Sequence, residues 1–302
     1  MNILITGGAG FIGTKLAKKL SKNNNIYILD FPKKIKEKKK YLKNCKLFNG
    51  DIRNKNIFKK VKNKIDIVYH LAALCSTEMS EKYPHECYAT NVKGTKNLLN
   101  WCVQKKVKKI IFTSSMAVYG RNSPKMNENS NCRPVSVYGK SKLMGEKVLL
   151  SKVNKINIVI LRLFNVYGPD QDLNNEVQGM FSIYLRHAIT YKKIFVKGSL
   201  SRVRDFIYID DVVSALKYKF IKSDIYNVGT GKPTKVINVI KLIFKNLKIK
   251  FKKSLIQNIK IHKGDTHVSY ADINKIAKLG WKPKYDINKG SKLTISKINS
   301  WK

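Results

Sequence analysis

Acidic residues are scarce in this sequence of 302 residues. It has 19 Asp and Glu against 61 Lys and Arg, which gives a formal net charge of +42. So large a positive excess points first to nucleic-acid binding. Only seven of the basic residues are Arg, however, and proteins that read bases and phosphates tend to use the Arg fork. Because the lysines are spread along the whole chain, a compositional bias explains the charge better, and we expect no specific nucleic-acid partner.

Long apolar runs and cysteine motifs are also missing. No apolar run approaches the roughly 18 residues that indicate a membrane span, and no basic segment precedes the first apolar stretch as it would in a signal peptide. The five cysteines form no C-x-x-C pair, which argues against a zinc site and fits a reducing compartment. These absences predict a cytoplasmic protein with no membrane segment and no metal.

The most informative stretch that is present covers residues 3–13. A short apolar run precedes three glycines at the spacing G-x-x-G-x-x-G, and an apolar-periodic segment begins at once. Strand, glycine turn and helix, in that order, place a nucleotide pyrophosphate at a helix N-terminus. The pattern predicts a dinucleotide site formed by Gly7, Gly10, Phe11, Ile12 and Gly13.

Asp30 follows a second apolar run, residues 26–29, about 20 residues after the glycines, where such sites carry an acid. A carboxylate there accepts the ribose hydroxyls of adenosine and repels a 2′-phosphate, which favours NAD over NADP. Lys33 and Lys34 are close in sequence and weaken this argument, because they could pair with that phosphate. The alternative for Asp30 is a loop acid that caps a turn.

Apolar runs alternate with helical patterns through the first half of the chain. Patterns typical of strands cover 2–6, 26–30, 45–48, 66–71, 109–113 and 157–163, and helical patterns cover 12–22, 54–63, 87–104 and 138–153. This alternation predicts an α/β fold with a Rossmann-type doubly wound parallel sheet. We expect the Rossmann domain to span 1–168, with 205–230 returning to it. A smaller C-terminal lobe, mainly 169–302, would bind substrate.

The chemistry is indicated by Ser115, Tyr138 and Lys142. Tyr138 and Lys142 are four residues apart and therefore project from one helix face. A Lys ammonium beside a phenol lowers the phenol pKa, so that Tyr138 becomes usable as a base near neutral pH. Ser115, at a predicted strand end, would orient the same substrate oxygen. The same spacing recurs at Tyr218/Lys222 and Tyr285/Lys289, but only the first pair follows a Ser-Ser strand end.

Motifs in a fixed order extend over nearly the whole chain. They are Thr6–Gly13, Gly50–Ile52, His70–Ala73, Ser114–Gly120, Tyr138–Lys142, Arg162–Pro169, Arg204–Val212, Asn227–Gly231 and Gly264–Asp265. In this order they resemble the extended short-chain dehydrogenase/reductase family, and within it the NAD-dependent nucleotide-sugar epimerases and dehydratases, most of all the UDP-glucose 4-epimerases.

The resemblance implies site residues beyond those argued above. For the cofactor it implies contacts from Asp51, Ile52, Leu71, Ala72, Ala73, Tyr138 and Lys142, with Asp51 and Ile52 at the adenine and Lys142 at the nicotinamide ribose. For the substrate it implies contacts from Asn165, Arg204, His262, Asp265 and Ser269. Arg204 suits the diphosphate because a guanidinium fork matches phosphate oxygens. His262 stands where relatives often carry Arg, and a surface His is its alternative.

Ser269 bears on which sugar is accepted. Similar epimerases carry a large aromatic residue at this position, which narrows the hexose pocket. A serine there predicts that N-acetylated hexoses are tolerated.

The reaction is narrowed by Met116 and Ala117. In enzymes of this type Tyr138 would remove the C4 hydroxyl proton of the sugar while hydride passes from C4 to NAD. Dehydratases similar to this chain carry Asp-Glu directly after the catalytic Ser or Thr, whereas Met116 and Ala117 move no proton. This favours 4-epimerisation of a UDP-hexose, UDP-glucose/UDP-galactose, with NAD regenerated at each turnover.

Two alternative functions and the oligomeric state remain open. The first alternative is a 4-keto reductase or dehydratase of the same family. The second is a non-catalytic nucleotide- or RNA-binding module, which the basic charge supports. Relatives pair helices equivalent to 87–104 and 138–153, which implies a homodimer, although the apolar face of 87–104 fits the core of a single chain equally well.

Overall fold

The structure is a computed structural model that describes residues 1–120, 124–175, 177, 179–259 and 267–299. The strands are β1 (Asn2–Thr6), β2 (Asn25–Asp30), β3 (Cys45–Asn49), β4 (Ile67–His70), β5 (Lys109–Ser115), β6 (Lys125–Met126), β7 (Asn157–Leu163), β8 (Asn165–Tyr167), β9 (Ile194–Lys197), β10 (Val203–Arg204), β11 (Phe206–Tyr208), β12 (Asp224–Val228), β13 (Thr234–Lys235), β14 (Ile256–Ile259) and β15 (Val268–Ala271).

The α-helices are α1 (Phe11–Leu20), α2 (Pro32–Lys38), α3 (Thr77–Lys82), α4 (Pro84–Tyr88), α5 (Thr95–Gln104), α6 (Val137–Leu150), α7 (Met180–Thr190), α8 (Ile209–Leu216), α9 (Val236–Asn246), α10 (Asn274–Lys278) and α11 (Ile287–Asn299). Short 3₁₀ segments cover Lys39–Tyr41, Lys55–Lys60, Met116–Val118 and Lys253–Leu255, and a π-helical turn covers Ala89–Gly94. No helix of this described part of the chain combines the length and the apolar character that crossing a membrane requires.

A seven-stranded sheet in the order β12-β7-β5-β4-β1-β2-β3 is the centre of the fold. β1 pairs in parallel with both β2 and β4, β2 with β3, and β4 with β5. From β1 the chain therefore adds β2 and β3 on one side of the sheet, and then β4, β5, β7 and β12 on the other. Ligands bind at such a switch point, outside the carboxyl ends of the strands. The predicted α/β fold with a Rossmann-type parallel sheet is confirmed.

Helices cover the sheet, so its inner strands are buried on both faces and are apolar almost throughout. Ile3, Leu4 and Ile5 of β1 are all at most 1% exposed. One continuous core cluster joins these strands to α5, and it contains Leu98 and Leu99, with Val103 packed against it. The apolar face that relatives led us to consider for a dimer is therefore largely occupied by this chain's own core.

The predicted helix 87–104 is divided into α4, the π-helical turn and α5. The extra residue of a π-turn shifts the side chains that follow it, and such turns concentrate at functional sites. Gly94 ends the turn, and a Cβ there would lie 2.6 Å from the Cδ1 of Ile52. The predicted helix 54–63 is only the 3₁₀ segment, whereas α3 was not predicted.

The chain divides into two compact units. Unit 1 is Met1–Val118, Ser136–Arg162 and Leu216–Tyr226, and unit 2 is Tyr119–Val135, Leu163–Ala215 and Asn227–Lys302. In unit 2, a four-stranded sheet has the order β13-β10-β15-β6, and β8 pairs with β11.

The unit boundaries differ from those predicted. Residues 119–135 group with unit 2 because β6 pairs with β15, and 163–168 do so because β8 pairs with β11. Of the segment 205–230 that we expected to return to the first domain, only 216–226 does.

Candidate active site

The glycine turn lies between β1 and α1. Gly7 has a φ of +70°, and its N–H donates to Leu29 O at 2.9 Å. A Cβ at Gly7 would lie 2.6 Å from Ala72 N, so the turn is pressed against the loop after β4. Gly10 caps α1 without a side-chain hydrogen bond to the first turn, which leaves helix N–H groups available to an anion. This cradle fits the pyrophosphate of NAD.

Asp30 ends β2 and holds the glycine turn. Its Oδ2 accepts a hydrogen bond from Ala9 N at 2.9 Å, and its Oδ1 accepts one from Phe31 N at 2.8 Å. Burial raises the pKa of this carboxyl, against the opposing effect of these hydrogen bonds and of the Lys34 ammonium. Each carboxylate oxygen has a second lone pair, so the contact with Ala9 is compatible with the predicted role at the ribose.

The remaining predicted cofactor residues follow successive parallel strands of unit 1. Asp51 and Ile52 follow β3, and Leu71, Ala72 and Ala73 follow β4. Asp51 is ion-paired with Arg53 at 2.6 Å. Burial of Asp51 is outweighed by the hydrogen bonds and charge of Arg53, so the pKa of this carboxyl is lowered. The Ile52 carbonyl accepts from Asn97 Nδ2 at 3.1 Å, which anchors this loop to α5.

His70, at the end of β4, lies at the centre of a buried hydrogen-bond chain. Its Nδ1 is 2.7 Å from Thr6 Oγ1 and its Nε2 is 2.9 Å from Thr95 Oγ1. Thr95 Oγ1 in turn donates to Asn91 O at 2.6 Å. Burial, with a smaller effect of the Lys142 ammonium, lowers the pKa of His70 to about 3. A neutral imidazole therefore links the strand before the glycine turn to the π-helical turn.

Asn91 continues this hydrogen-bond chain to α6, the helix that carries Tyr138 and Lys142. Its Oδ1 accepts from Leu74 N at 2.9 Å, while its Nδ2 donates to Leu74 O at 3.0 Å and to Ser141 Oγ at 2.8 Å. Ser141 Oγ donates to Tyr138 O at 2.8 Å. Asn91 lies in the π-helical turn, so these contacts depend on a turn that the sequence pattern did not predict.

Tyr138 lies in the first turn of α6, and three side chains fix that turn. Ser136 caps the helix by accepting from Gly139 N at 3.0 Å. Ser80 and Glu81 of α3 accept from Tyr138 N at 3.1 Å and from Val137 N at 2.9 Å. Of the three Tyr/Lys pairs at this spacing, Tyr138/Lys142 is the one that lies within a single helix.

The pKa of Tyr138 differs from the sequence prediction. Burial of the phenol is the largest influence and raises its pKa, the Cys75 thiol adds to the rise, and a hydrogen bond with Ser115 lowers it. The net shift is a rise, and not the lowering expected from Lys142, because burial of the phenol outweighs the other influences. The Lys142 ammonium is itself buried. It lies 4.0 Å from the centroid of the Phe112 ring, and burial lowers the pKa of Lys142 to about 8.

Glu146 is a site residue that the sequence analysis missed. It lies one turn after Lys142 on α6, and its carboxylate is ion-paired with Arg162 of β7 at 2.7 Å. The extended spacing Y-x-x-x-K-x-x-x-E could have revealed it, because positions i, i+4 and i+8 share one helix face. The acid-poor composition makes a Glu on that face conspicuous.

Ser115 ends β5, and the residues after it carry no acid. Ala117 N donates to Ser115 Oγ at 3.2 Å, which shapes the 3₁₀ segment Met116–Val118. The side chains of Met116 and Ala117 offer no group that moves a proton.

The predicted substrate residues that the structure describes lie in unit 2. Arg204 and Ser269 are register partners on the parallel strands β10 and β15. Arg204 is 4% exposed, and its Nη1 donates to Val203 O at 2.8 Å. Ser269 is fully buried, with its Oγ 3.8 Å from Met126 Sδ. Asn165 Nδ2 donates to Asp205 O at 2.9 Å. The other two, His262 and Asp265, lie outside the described residues.

Asp205 lies in the motif Arg204–Val212, where the sequence analysis gave it no role, and its contacts are structural. It is fully buried, and its carboxylate accepts from Thr230 N at 2.8 Å, Gly231 N at 2.9 Å and Ala271 N at 3.2 Å. Burial raises its pKa against these hydrogen bonds. Asp205 thus joins three of the segments from which unit 2 is built.

Comparison with known proteins agrees with this arrangement. The model of a family described as the NAD dependent epimerase/dehydratase family matches residues 3–229. A Methanocaldococcus jannaschii protein, named provisionally as a UDP-glucose 4-epimerase, is 36% identical over 301 residues, and the match covers 97% of each chain. The dTDP-D-glucose 4,6-dehydratase of Homo sapiens is 31% identical over 324 residues, covering 99% of this chain and 91% of its own.

Solved structures extend the comparison. The crystal structure of Thermotoga maritima UDP-glucose 4-epimerase with UDP-glucose matches with a TM-score of 0.91 at 29% identity, covering 100% of this chain and 99% of its own. Structures of two further similar chains, 26% and 28% identical to this one, hold NAD. The chain belongs to the NAD-dependent epimerase/dehydratase family of extended short-chain dehydrogenases/reductases, and its cofactor is NAD.

Proposed function

We propose that this chain is an NAD-dependent 4-epimerase of a UDP-hexose, acting on UDP-glucose and UDP-galactose through a transient 4-keto sugar. One observation carries the proposal. Ser115, Tyr138 and Lys142 are held at the end of β5 and on α6 of unit 1, whereas Met116 and Ala117 stand where a dehydratase needs acids.

Tyr138 Oη is the group that moves the proton. Burial favours the neutral phenol, so Tyr138 takes a proton only when nearby groups stabilise the phenolate. Ser115 does so through its hydrogen bond, and the Lys142 ammonium supplies positive charge one turn along the helix. When bound, NAD would supply the acceptor and donor of the hydride and, in its oxidised form, positive charge. Tyr138 Oη, as the phenolate, accepts the C4 hydroxyl proton as the 4-keto sugar forms, and gives it back after the sugar has turned.

The glycine turn and Asp30 would hold the cofactor. The helix N–H groups of α1 would bind the pyrophosphate, and the Asp30 carboxylate would accept the adenosine ribose hydroxyls. Asp51, Ile52 and the loop 71–73 would contact the adenine and the rest of the dinucleotide.

Arg204 and Asn165 would bind the diphosphate side of the substrate. Ser269 supports acceptance of an N-acetyl group, because it is the small residue beside Arg204 in the register of β10 and β15. Turnover of UDP-N-acetylglucosamine, compared with UDP-glucose, tests this point, and failure to convert the acetylated sugar would remove it.

The proposal includes a homodimer in the cytoplasm. α6 exposes Met144, 45% accessible, on the helix that relatives use for pairing. Sedimentation equilibrium of the purified chain would give twice the chain mass if this is right.

The test of the function is product analysis without added cofactor. Purified protein is incubated with UDP-, dTDP- and GDP-hexoses, and the sugars are followed by NMR. A 4-epimerase interconverts UDP-glucose and UDP-galactose with no reductant. A dehydratase yields a 4-keto-6-deoxy sugar, a reductase requires stoichiometric NADPH, and an RNA-binding module converts none of them.

The Tyr138→Phe variant tests the assigned base. It removes Oη while keeping the ring that packs on the helix, so we expect kcat to fall by about 10²–10⁴-fold with NAD affinity retained. Tyr218→Phe is the matched control, because its pair with Lys222 does not lie within a helix, and it should keep full activity. Full activity of Tyr138→Phe would refute the role of Tyr138.

A further inference from the structure

A buried ion pair lies directly behind the catalytic residues. Glu146 is 1% exposed and Arg162 is 3% exposed. Arg162 Nε donates to Glu146 Oε1 at 3.0 Å, and Arg162 Nη2 donates to Oε2 at 2.7 Å. This two-pronged contact fixes the carboxylate in one orientation. Burying such a pair is costly and gives weak net stability, so stability alone is a poor reason for its presence.

The same carboxylate holds the end of β5. Ser114 Oγ donates to Glu146 Oε1 at 2.5 Å. Ser115 directly follows Ser114 at the end of β5, so the bond from Ser114 to α6 fixes the backbone that carries Ser115. Ser115 is the residue whose hydrogen bond lowers the pKa of Tyr138.

Glu146 also supplies negative charge to Lys142. The titratable groups that act on the Lys142 ammonium are Cys75 after β4, Cys87 on α4 and Glu146 on α6. The ammonium in turn lowers the pKa of His70 on β4. Burial has the largest effect and lowers the pKa of Lys142, whereas Cys75, then Glu146 and then Cys87 raise it. Glu146 is the carboxylate among these groups and lies one turn after Lys142 on α6. Arg162 is connected to Lys142 through its ion pair with Glu146.

We propose that Glu146 is a positioning residue for the reaction: held by Arg162, it orients the Ser114–Ser115 strand end and, one turn along α6, contributes negative charge that favours the ammonium form of Lys142. The kinetic part of this inference rests on the proposed epimerase function, whereas the charge of Lys142 does not.

The first measurement is the titration of Lys142 by NMR without substrate. Lysines carry ¹³C at Cε, and the Lys142 signal is assigned by its loss in Lys142→Arg. Because burial places the pKa of Lys142 at about 8, its midpoint stands apart from those of exposed lysines. In Glu146→Gln, removal of the anion should lower the midpoint by about one pH unit.

Two further variants control for loss of folding and for the change in net charge. Glu146→Gln leaves Arg162 buried without its partner, so Glu146→Gln/Arg162→Met removes both charges and protects the fold; its midpoint should also fall. Glu37→Gln makes the same charge change at an exposed position on α2 and should leave the midpoint unmoved. A wild-type midpoint in both Glu146 variants overturns the proposal.

The second measurement is the pH profile of kcat. Loss of the ammonium at high pH should reduce kcat, so the alkaline limb of Glu146→Gln should move to lower pH together with the NMR midpoint. Ser114→Ala breaks only the hydrogen bond, and we expect kcat to fall about tenfold with KM and the alkaline limb unchanged. Unchanged kcat in Ser114→Ala overturns the strand-positioning part.

The two proposals fail in different ways. If the wild type converts no UDP-hexose at any pH, the proposed function fails while the NMR midpoints still decide the role of Glu146. If the wild type converts the sugar and the midpoints do not move, the role of Glu146 fails alone.

Discussion

Gly7 and Gly231 have nearly the same backbone conformation in very different surroundings. Their φ angles are +70° and +71°. A Cβ at Gly7 would lie 2.6 Å from Ala72 N, whereas at Gly231 the nearest atom, Ala271 O, would be 3.5 Å away. Gly231→Ala should therefore cost only the strain of a left-handed alanine, about 1 kcal/mol. Gly7→Ala adds a backbone clash in the cofactor cradle.

We predict that Gly7→Ala loses at least tenfold in NAD affinity, whereas Gly231→Ala keeps wild-type affinity. Calorimetric titration with NAD and thermal unfolding of both variants measure this difference. Equal NAD affinity of the two variants would contradict the placement of the pyrophosphate at this turn.

His70 makes stability depend on pH. Its pKa is about 3 in the folded protein and about 6.5 in an unfolded chain. Between these values the unfolded chain binds more protons, so the stability from neutral His70 is complete above pH 6.5 and is lost as pH falls toward 3. At pH 5 this residue should have removed about 2 kcal/mol of the free energy of unfolding present at pH 7.

His70→Gln should flatten this part of the pH dependence. Denaturant unfolding at pH 7 and pH 5 is compared for the wild type, His70→Gln and His267→Gln, the last being an exposed histidine. We expect the drop on acidification to shrink by about 2 kcal/mol in the first variant alone. A drop of the wild-type size in His70→Gln would show that another group governs acid destabilisation.

Individual residues were predictable where a motif has a local reason. Gly7, Tyr138 and Lys142 lie where the sequence indicated, because turn and helix geometry depend on near neighbours. The direction of the Tyr138 pKa was not predictable, since burial is decided by distant segments. The helix spacing could have revealed Glu146, but its pairing with Arg162 of β7 could not be predicted, because that partner lies on another element.

At the level of elements, α6 depends on its first turn. Ser136 accepts from Gly139 N at 3.0 Å, and loss of such a cap costs about 1 kcal/mol. Because Tyr138 lies in this turn, we predict that Ser136→Ala lowers both the free energy of unfolding and kcat. Ser151, at the other end of α6, is exposed, and its side-chain Oγ donates to Val148 O rather than capping a helix N–H. Ser151→Ala should change neither quantity.

Denaturant unfolding and steady-state kinetics of the two variants measure these effects side by side. An unchanged kcat in Ser136→Ala would mean that Ser80 and Glu81 are sufficient to hold the turn.

Most strand positions were predictable because apolar runs of this length between turns are typical of buried strands. β1 and β7 have the predicted bounds. The helix 87–104 was predicted as one piece because sequence periodicity does not reveal a π-turn. That turn forms around contacts of Asn91 with Leu74 and Ser141, which are distant in the sequence.

For the whole molecule, the net charge of +42 should affect encounter with an anionic nucleotide sugar. Long-range attraction accelerates association and is screened by salt within about 10 Å at 0.1 M. We predict that kcat/KM for UDP-glucose falls severalfold between low salt and 0.5 M NaCl, while kcat stays constant. Steady-state kinetics over this range give both values, and a salt-independent kcat/KM would show that the charge plays no part in substrate capture.

The parallel sheet was predictable from the alternation of strands and helices, but the unit boundaries were not. β6 pairs with β15 across nearly half of the chain, and a two-residue strand such as β6 leaves no pattern to read. Segment 119–135 therefore looked like part of the first domain although it packs with the second.

The carboxylate of Asp205 affects how unit 2 unfolds locally. It accepts hydrogen bonds from Thr230, Gly231 and Ala271, which come from two segments far apart in sequence. Any fluctuation that frees one of these amides leaves a buried charge less well compensated, so a partly opened state is costly. The strand carrying Ser269 and the loop carrying Gly231 should therefore unfold and refold locally as one cooperative unit.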